Sequence, residues 1–211
     1  MATLANGYEL IDDFLTSHEV GDFNQAASEL TLSSKSGGIR NIEQKLPYAQ
    51  KLISSDKLLK AAQKYLNATP QFIRAILFNK TPENNWLVSW HQDKTIAVSD
   101  KFEKAGWGPW TLKAGVHHVQ PPIEVLNNMV TFRIHLDDTN ENNGCLKLIA
   151  GSHHKGVMTH AEIQNYIKGK AVVTCSARAG SALVMRPHLL HSSSKALSPS
   201  QRRVLHIEYR A

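Results

Sequence analysis

The chain has 211 residues, 42% of them hydrophobic and 20% charged. That is ordinary for a globular protein and enough for one full core, so a single domain over residues 1–211 is expected. No apolar run approaches the roughly 20 residues that span a bilayer, and residues 1–8 lack the basic and apolar stretches of a secretory signal, so a cytoplasmic protein with no membrane partner is expected. A net charge of +6 invites a nucleic-acid reading, yet Lys and Arg are dispersed and Arg202-Arg203 is their only adjacent pair. An extended phosphate backbone calls for a basic stripe with interleaved aromatics, so a nucleic-acid partner is not expected.

Residues 1–69 read as mostly helical. Tyr8 to Leu15 begins extended and turns into a short helix, Ala26, Ala27 and Leu30 suit a helix over residues 24–32, and 33–38 is a Ser/Gly loop. Gly37 to Asn41 either belongs to that loop or reaches the mouth of the site. Residues 41–66 carry apolar positions spaced by three and four, which predicts two helices, the first interrupted by Pro47 and the second capped by Ser54-Ser55-Asp56.

From residue 70 the period changes to two. Residues 70–80 predict a strand with Ile73, Ala75 and Leu77 on one face and Arg74, Ile76 and Phe78 on the other. Glu83-Asn84-Asn85 reads as a hairpin turn and 86–91 as the return strand, which would set Asn79 beside His91. After a short strand at 96–98, residues 100–122 form an irregular aromatic insertion of the kind that makes a lid. Trp107, Trp110, His118 and Gln120 are its substrate-side candidates, with packing of the tryptophans onto the barrel as the alternative. A bend at 123–129 precedes an alternating strand at 130–138 with Arg133 and His135 on one face; Arg133 and, further on, Arg186 are added as substrate-side candidates. Later strands are expected at 145–149, 171–176, 182–185 and 203–209, with a helix at 161–166, and His153 is expected to organise a loop. Cys145 and Cys175 lack metal or redox spacing and read as buried free thiols.

The chemistry concentrates in His91-Gln92-Asp93. On an extended strand residues i and i+2 point the same way, so His91 and Asp93 can reach one metal. A third imidazole, His191, would complete a set of two histidines and one carboxylate that leaves coordination positions open, as in non-haem Fe(II) oxygenases. His188 is a rival for the third place. The short pattern alone more often marks surface or satisfied polar residues. The residues downstream of His191 add weight: Ser193 two positions on and Arg202 eleven positions on can hold the far carboxylate of a small diacid. The arrangement reads as a 2-oxoglutarate site.

Together, His91-Gln92-Asp93, Asn143-Gly144-Cys145-Leu146, Gly151-Ser152-His153 and the segment from His191 to Arg202 resemble the phytanoyl-CoA dioxygenase family over residues 74–209, with Ala150 where the family more often has Pro. The resemblance implies a mainly β protein with flanking α-helices and a double-stranded β-helix (jelly-roll, cupin-like) core over residues 70–211. It also implies an enzyme using Fe(II), 2-oxoglutarate and O2 to hydroxylate an unactivated C–H bond of a small molecule, with release of succinate and CO2. Iron would sit on His91, Asp93 and His191, and the cosubstrate on Arg202 and Ser193. Asn79, in Asn79-Lys80-Thr81-Pro82, is added because related hydroxylases carry a similar segment that touches the cosubstrate. Two other readings stay open: a non-catalytic metal-binding jelly roll, and an oxygenase acting on nucleic acid or protein.

Overall fold

A computed structural model of the chain describes residues 4–30, 37–197 and 201–211. The expected loop at 33–36 lies outside the described residues. Strand β1 (Tyr8–Ile11) leads into helix α1 (Ser17–Ala27), β2 (Gly38–Arg40), α2 (Ile42–Lys45), α3 (Pro47–Ile53) and α4 (Asp56–Leu66). Next come β3 (Gln71–Lys80), β4 (Val88–His91), β5 (Ile96–Val98), β6 (Trp110–Lys113), β7 (Val116–Val119), α5 (Ile123–Asn127) and β8 (Met129–His135). The chain finishes with β9 (Leu146–Leu148), α6 (His160–Tyr166), β10 (Val173–Cys175), β11 (Ala182–Met185), β12 (His191–Ser193) and β13 (Arg202–Arg210).

Helix α1 starts earlier than its apolar pattern suggests because Thr16 and Glu19 form a reciprocal capping box, which satisfies two otherwise orphaned amides. Ser55 caps α4, and Pro47 opens α3, where its missing amide proton costs nothing. Cys145 and Cys175 are free and buried.

Two antiparallel sheets make the jelly roll, with strand orders β1-β11-β8-β13-β3-β2 and β10-β9-β12-β4; a third sheet, β5-β7-β6, stands beside them. Strands β3 and β4 belong to different sheets, so the expected hairpin between them is absent. The seven residues between them are more than a tight hairpin loop needs; they carry the chain from the large sheet to the small one.

The large sheet sorts its side chains by strand alternation. Outward, Ala75, Leu77, Val130, Phe132, Ile134, Leu205, Ile207 and Tyr209 pack against α1 to α4 in the main core. Inward, β3 presents Arg74, Ile76, Phe78 and Lys80 to a cavity between the sheets. The registers Lys80↔Arg202, Ile76↔His206↔Arg133 and Arg74↔Glu208 stack polar side chains into rows across that inner face.

Candidate metal and cosubstrate site

His91 and His191 are direct cross-strand partners where β4 pairs with β12, and their rings lie 4.2 Å apart. Each imidazole places Nδ1 at 2.8 Å from a backbone carbonyl, that of Ser89 for His91 and that of Leu189 for His191. A carbonyl only accepts, so Nδ1 carries the proton and Nε2 keeps its lone pair. Both Nε2 atoms face the Asp93 carboxylate, at 3.8 Å from His91 and 3.5 Å from His191. The carbonyl behind each ring is the outer support that metal-binding histidines use to fix tautomer and orientation. Burial alone would raise the Asp93 pKa; the histidines around it, His191 first, outweigh that and hold the carboxyl well below its ordinary range. The three ligand atoms lie within 4.8 Å of one another and could hold a metal ion. The donor set of two neutral imidazoles and one carboxylate suits Fe(II).

Between the two residues on the first strand, Gln92 points the other way. Its amide nitrogen donates to the carbonyls of Gly156 (2.7 Å) and His188 (2.8 Å), and its oxygen accepts from the Met158 amide at 2.8 Å. The Asp93 amide donates to the Pro187 carbonyl at 2.9 Å. The first ligand strand is thereby tied to the turn that leads into His191. His188, the rival ligand, is fully buried in that turn beside His153, and burial brings its pKa down to about 4; it lies outside the cavity lining.

The cavity, about 240 Å³, is lined by the three candidate ligands and by Ser193, Arg202, Lys80, Arg133 and His206 among others. Arg202 is 3% exposed and its Nε has no hydrogen-bond partner. Burial and the nearby Arg133 charge press its pKa down to about 10. Its sequence neighbour Arg203 is engaged by Asp137 through two bonds, from Nε at 2.9 Å and Nη2 at 2.7 Å; Arg202 has no such carboxylate among the described residues. Beside it, Lys80 donates to Ser193 Oγ at 2.9 Å and to the Ser194 carbonyl. Burial, then Arg202 and Arg133, bring the Lys80 pKa down to about 8. Ser193 Oγ in turn donates to the Gly144 carbonyl at 2.8 Å. Two buried cations without a counter-ion are costly, and a diacid's carboxylate is the group that would relieve them.

Lys80, which the sequence motifs do not single out, takes the place expected for Asn79. Strand alternation turns Asn79 to the opposite face of β3, outside the cavity lining, where its Oδ1 is buried without a partner. The signal for Lys80 is present in the sequence: it continues the series Arg74, Ile76, Phe78.

The substrate-side candidates divide. Arg133 lines the cavity, and its Nη1 lies 3.1 Å from His206 Nδ1. Guanidinium nitrogens only donate, so His206 Nδ1 accepts and its Nε2 carries the proton toward Glu208 Oε1, 2.9 Å away; Glu208 also accepts from Arg74 Nη2 at 2.6 Å. Asp93, His206 and Glu208 form a second group with convergent ligand atoms, but Arg74 and Arg133 already engage Glu208 and His206. Trp107, Trp110, His118, Gln120 and Arg186 do not line the cavity. Trp107 and Trp110 pack on Ile96, Val119, Leu126 and Met129 and against Phe102, so they seat the insertion on the barrel. The His118 ring is held at 3.0 Å by the Val116 carbonyl, and the backbone of Gln120 closes a loop with Gly108 and Pro109. Arg186 donates to the Met129 carbonyl at 2.7 Å. Thr95 and Lys113 line the cavity instead.

Residues 4–204 match the family model for phytanoyl-CoA dioxygenase. Among solved structures, the chain is similar to the non-haem α-ketoglutarate-dependent carbocyclase SnoK from nogalamycin biosynthesis, with TM-score 0.73, 19% identity, and coverage of 98% of this chain and 80% of that one. It is also similar to EctD from S. alaskensis with bound Fe (TM-score 0.74, 18% identity, 98% and 73% covered), and to HygX from Streptomyces hygroscopicus with nickel and 2-oxoglutarate bound (0.69, 17%, 98% and 82%). No curated protein sequence matches the chain. Among the described residues no helix is long and apolar enough to cross a membrane.

Proposed function

The chain belongs to the phytanoyl-CoA dioxygenase family of Fe(II)- and 2-oxoglutarate-dependent oxygenases, and from that premise we propose that all of residues 1–211 form one such oxygenase unit, that His91, Asp93 and His191 hold the iron, and that the reaction hydroxylates a C–H bond of a small molecule. The observation that carries the reading is the pairing of two features on one cavity: three converging ligand atoms with fixed tautomers, and two buried cations with no carboxylate of their own.

When bound, iron and 2-oxoglutarate would activate O2, one oxygen atom ending in succinate as CO2 is lost and the other in the substrate's C–H bond. The chain's own residues bind, orient and exclude water. Arg202 and Lys80 hold the far carboxylate of the cosubstrate, with Ser193 keeping the Lys80 ammonium in place. Phe78, Trp86, Val88 and Leu146 wall that end of the cavity and keep bulk water from the charged contacts, which strengthens them. His206, its tautomer set by Arg133 and Glu208, offers no proton to the cavity at neutral pH; burial holds its pKa below the ordinary value despite Glu208. A cavity of about 240 Å³ is small against the roughly 300–1,000 Å³ of ligand sites, which supports a small molecule rather than a macromolecule.

Anaerobic titration of the protein with Fe(II) and 2-oxoglutarate tests the reading. A weak visible charge-transfer band is expected in wild type and not in His191→Ala. Absence of the band from folded, metal-bound wild type would favour a metal-binding jelly roll without turnover.

A further inference from the structure

We infer that the substrate of this oxygenase carries an oxyanion, a carboxylate or a phosphate, seated between Arg40, Arg74 and Lys113 at the end of the cavity opposite the 2-oxoglutarate cradle. The inference rests on the oxygenase reading above.

Arg74 and Lys80 lie on the same face of β3. They are six positions apart, roughly 20 Å along an extended strand, so the cavity has two cationic poles. Arg40, Arg74 and Lys113 all line it and reach it from three separate elements. Arg40 ends β2, paired with Ile76. Lys113 ends β6, paired with Val116 across a two-residue turn in which Ala114 has φ 50° and Gly115 φ 77°; that turn matches strand twist and holds the hairpin tip in one orientation. Arg74 is gripped by Glu208 at 2.6 Å.

The charges do not cancel. Glu208 is committed to Arg74 and His206, and Asp93 belongs to the metal ligands. Arg40 and Lys113 have no ion-pair partner among the described residues. Arg74 is 8% exposed, yet its Nε is buried with no hydrogen bond. The three cations also act on one another: burial first and then Arg74 lower the Arg40 pKa, and burial, Arg74 and Arg40 lower that of Lys113. Mutual repulsion in a partly dehydrated pocket is relieved by an anion, and the Arg40 guanidinium, which has no carboxylate partner among the described residues, fits a carboxylate or phosphate through two parallel bonds. His91, Asp93 and His191 line the same cavity as the three cations, so an anion bound there leaves the rest of the molecule beside the metal ligands.

The test uses the full chain with one equivalent of Fe(II) and saturating 2-oxoglutarate under anaerobic conditions, the charge-transfer band reporting that the first pole is filled. Inorganic phosphate and acetate are then titrated calorimetrically into wild type and into the Arg40→Ala/Lys113→Ala double variant; Arg74 is left intact because its removal would strand Glu208. We expect saturable anion binding in wild type, at least about tenfold weaker in the variant, with 2-oxoglutarate affinity unchanged within about twofold. Stronger phosphate than acetate binding would identify a phosphomonoester substrate, and the reverse a carboxylate. Equal affinity in the two proteins, or phosphate that binds only by displacing 2-oxoglutarate and bleaching the band, would overturn the proposal while leaving the oxygenase reading in place. A band missing from the outset would overturn both. If the double variant fails to fold, Lys113→Glu alone takes its place, and unweakened phosphate binding there counts against the proposal.

Discussion

The two faces of the large sheet are made by the same strands and serve opposite ends. On its outer face β3, β8 and β13 show Ala75, Leu77, Phe132, Ile134, Leu205 and Ile207 to the helices. On alternate positions of the same strands, the inner face shows Arg74, Ile76, Arg133, Arg202 and His206 to the cavity. Apolar burial on one side, at roughly 25 cal/mol per Å², lets the sheet carry buried charge on the other that by itself opposes folding. Stability and chemistry are thus separated by strand phase, within the same stretches of sequence.

The separation can be broken from either side. The largest effect is expected across the cavity from the inner face, just after β4: Asp93→Ala should reduce succinate formation to background while leaving the thermal unfolding midpoint near that of wild type, and normal turnover in that variant would remove the metal assignment. On the outer face, Phe132→Ala should cost about 3–5 kcal/mol of stability by leaving a cavity, read by denaturant titration, with the charge-transfer band retained wherever the protein remains folded. Arg202→Ala should weaken 2-oxoglutarate binding by a charge-assisted contact, about 1.5–3 kcal/mol or roughly 10- to 150-fold, at nearly unchanged stability; an unaltered dissociation constant would transfer the clamp to Lys80. The smallest effect is a pH dependence. Lys80 titrates at about 8 before the cosubstrate arrives, and only its protonated form attracts a carboxylate. Binding above pH 8 must therefore take up a proton, and affinity should fall by at most about tenfold per pH unit there. In Lys80→Met the slope should vanish; a slope that persists assigns the titration to another group.

Much of this arrangement is legible in the sequence. The candidate triad is, because a His-x-Asp and an Arg eleven residues past a second His are local spacings. The long strands are, because period two runs through 74–80 and 202–208, up to the bulge where Tyr209 pairs with Phe72. The start of α1 is written in Thr16 and Glu19, although the apolar residues further on point to a later one. Pairing across the fold leaves no such local trace. β3 and β4 are neighbours in sequence and partners of β13 and β12 in space, so a hairpin reading puts Asn79 in the wrong company. The end of the cavity lined by Arg40, Arg74 and Lys113 is built from β2, β3 and β6, three elements whose approach no short-range pattern records. The lid tryptophans resemble binding residues because aromatics serve both purposes; the apolar cluster beneath them decides for packing.

The three hydrogen bonds of Gln92 have a consequence for how the protein meets its metal. One fastens the segment from His91 to Asp93 to the turn before His191, where the Asp93 amide also bonds Pro187, and two fasten it to the loop at Gly156 and Met158, so the spacing of the candidate ligands is a property of the polypeptide. Metal capture is then decoupled from folding. Chelation should strip the ion without melting the barrel, and reloading should need no refolding, leaving occupancy to follow the free-iron concentration around the protein.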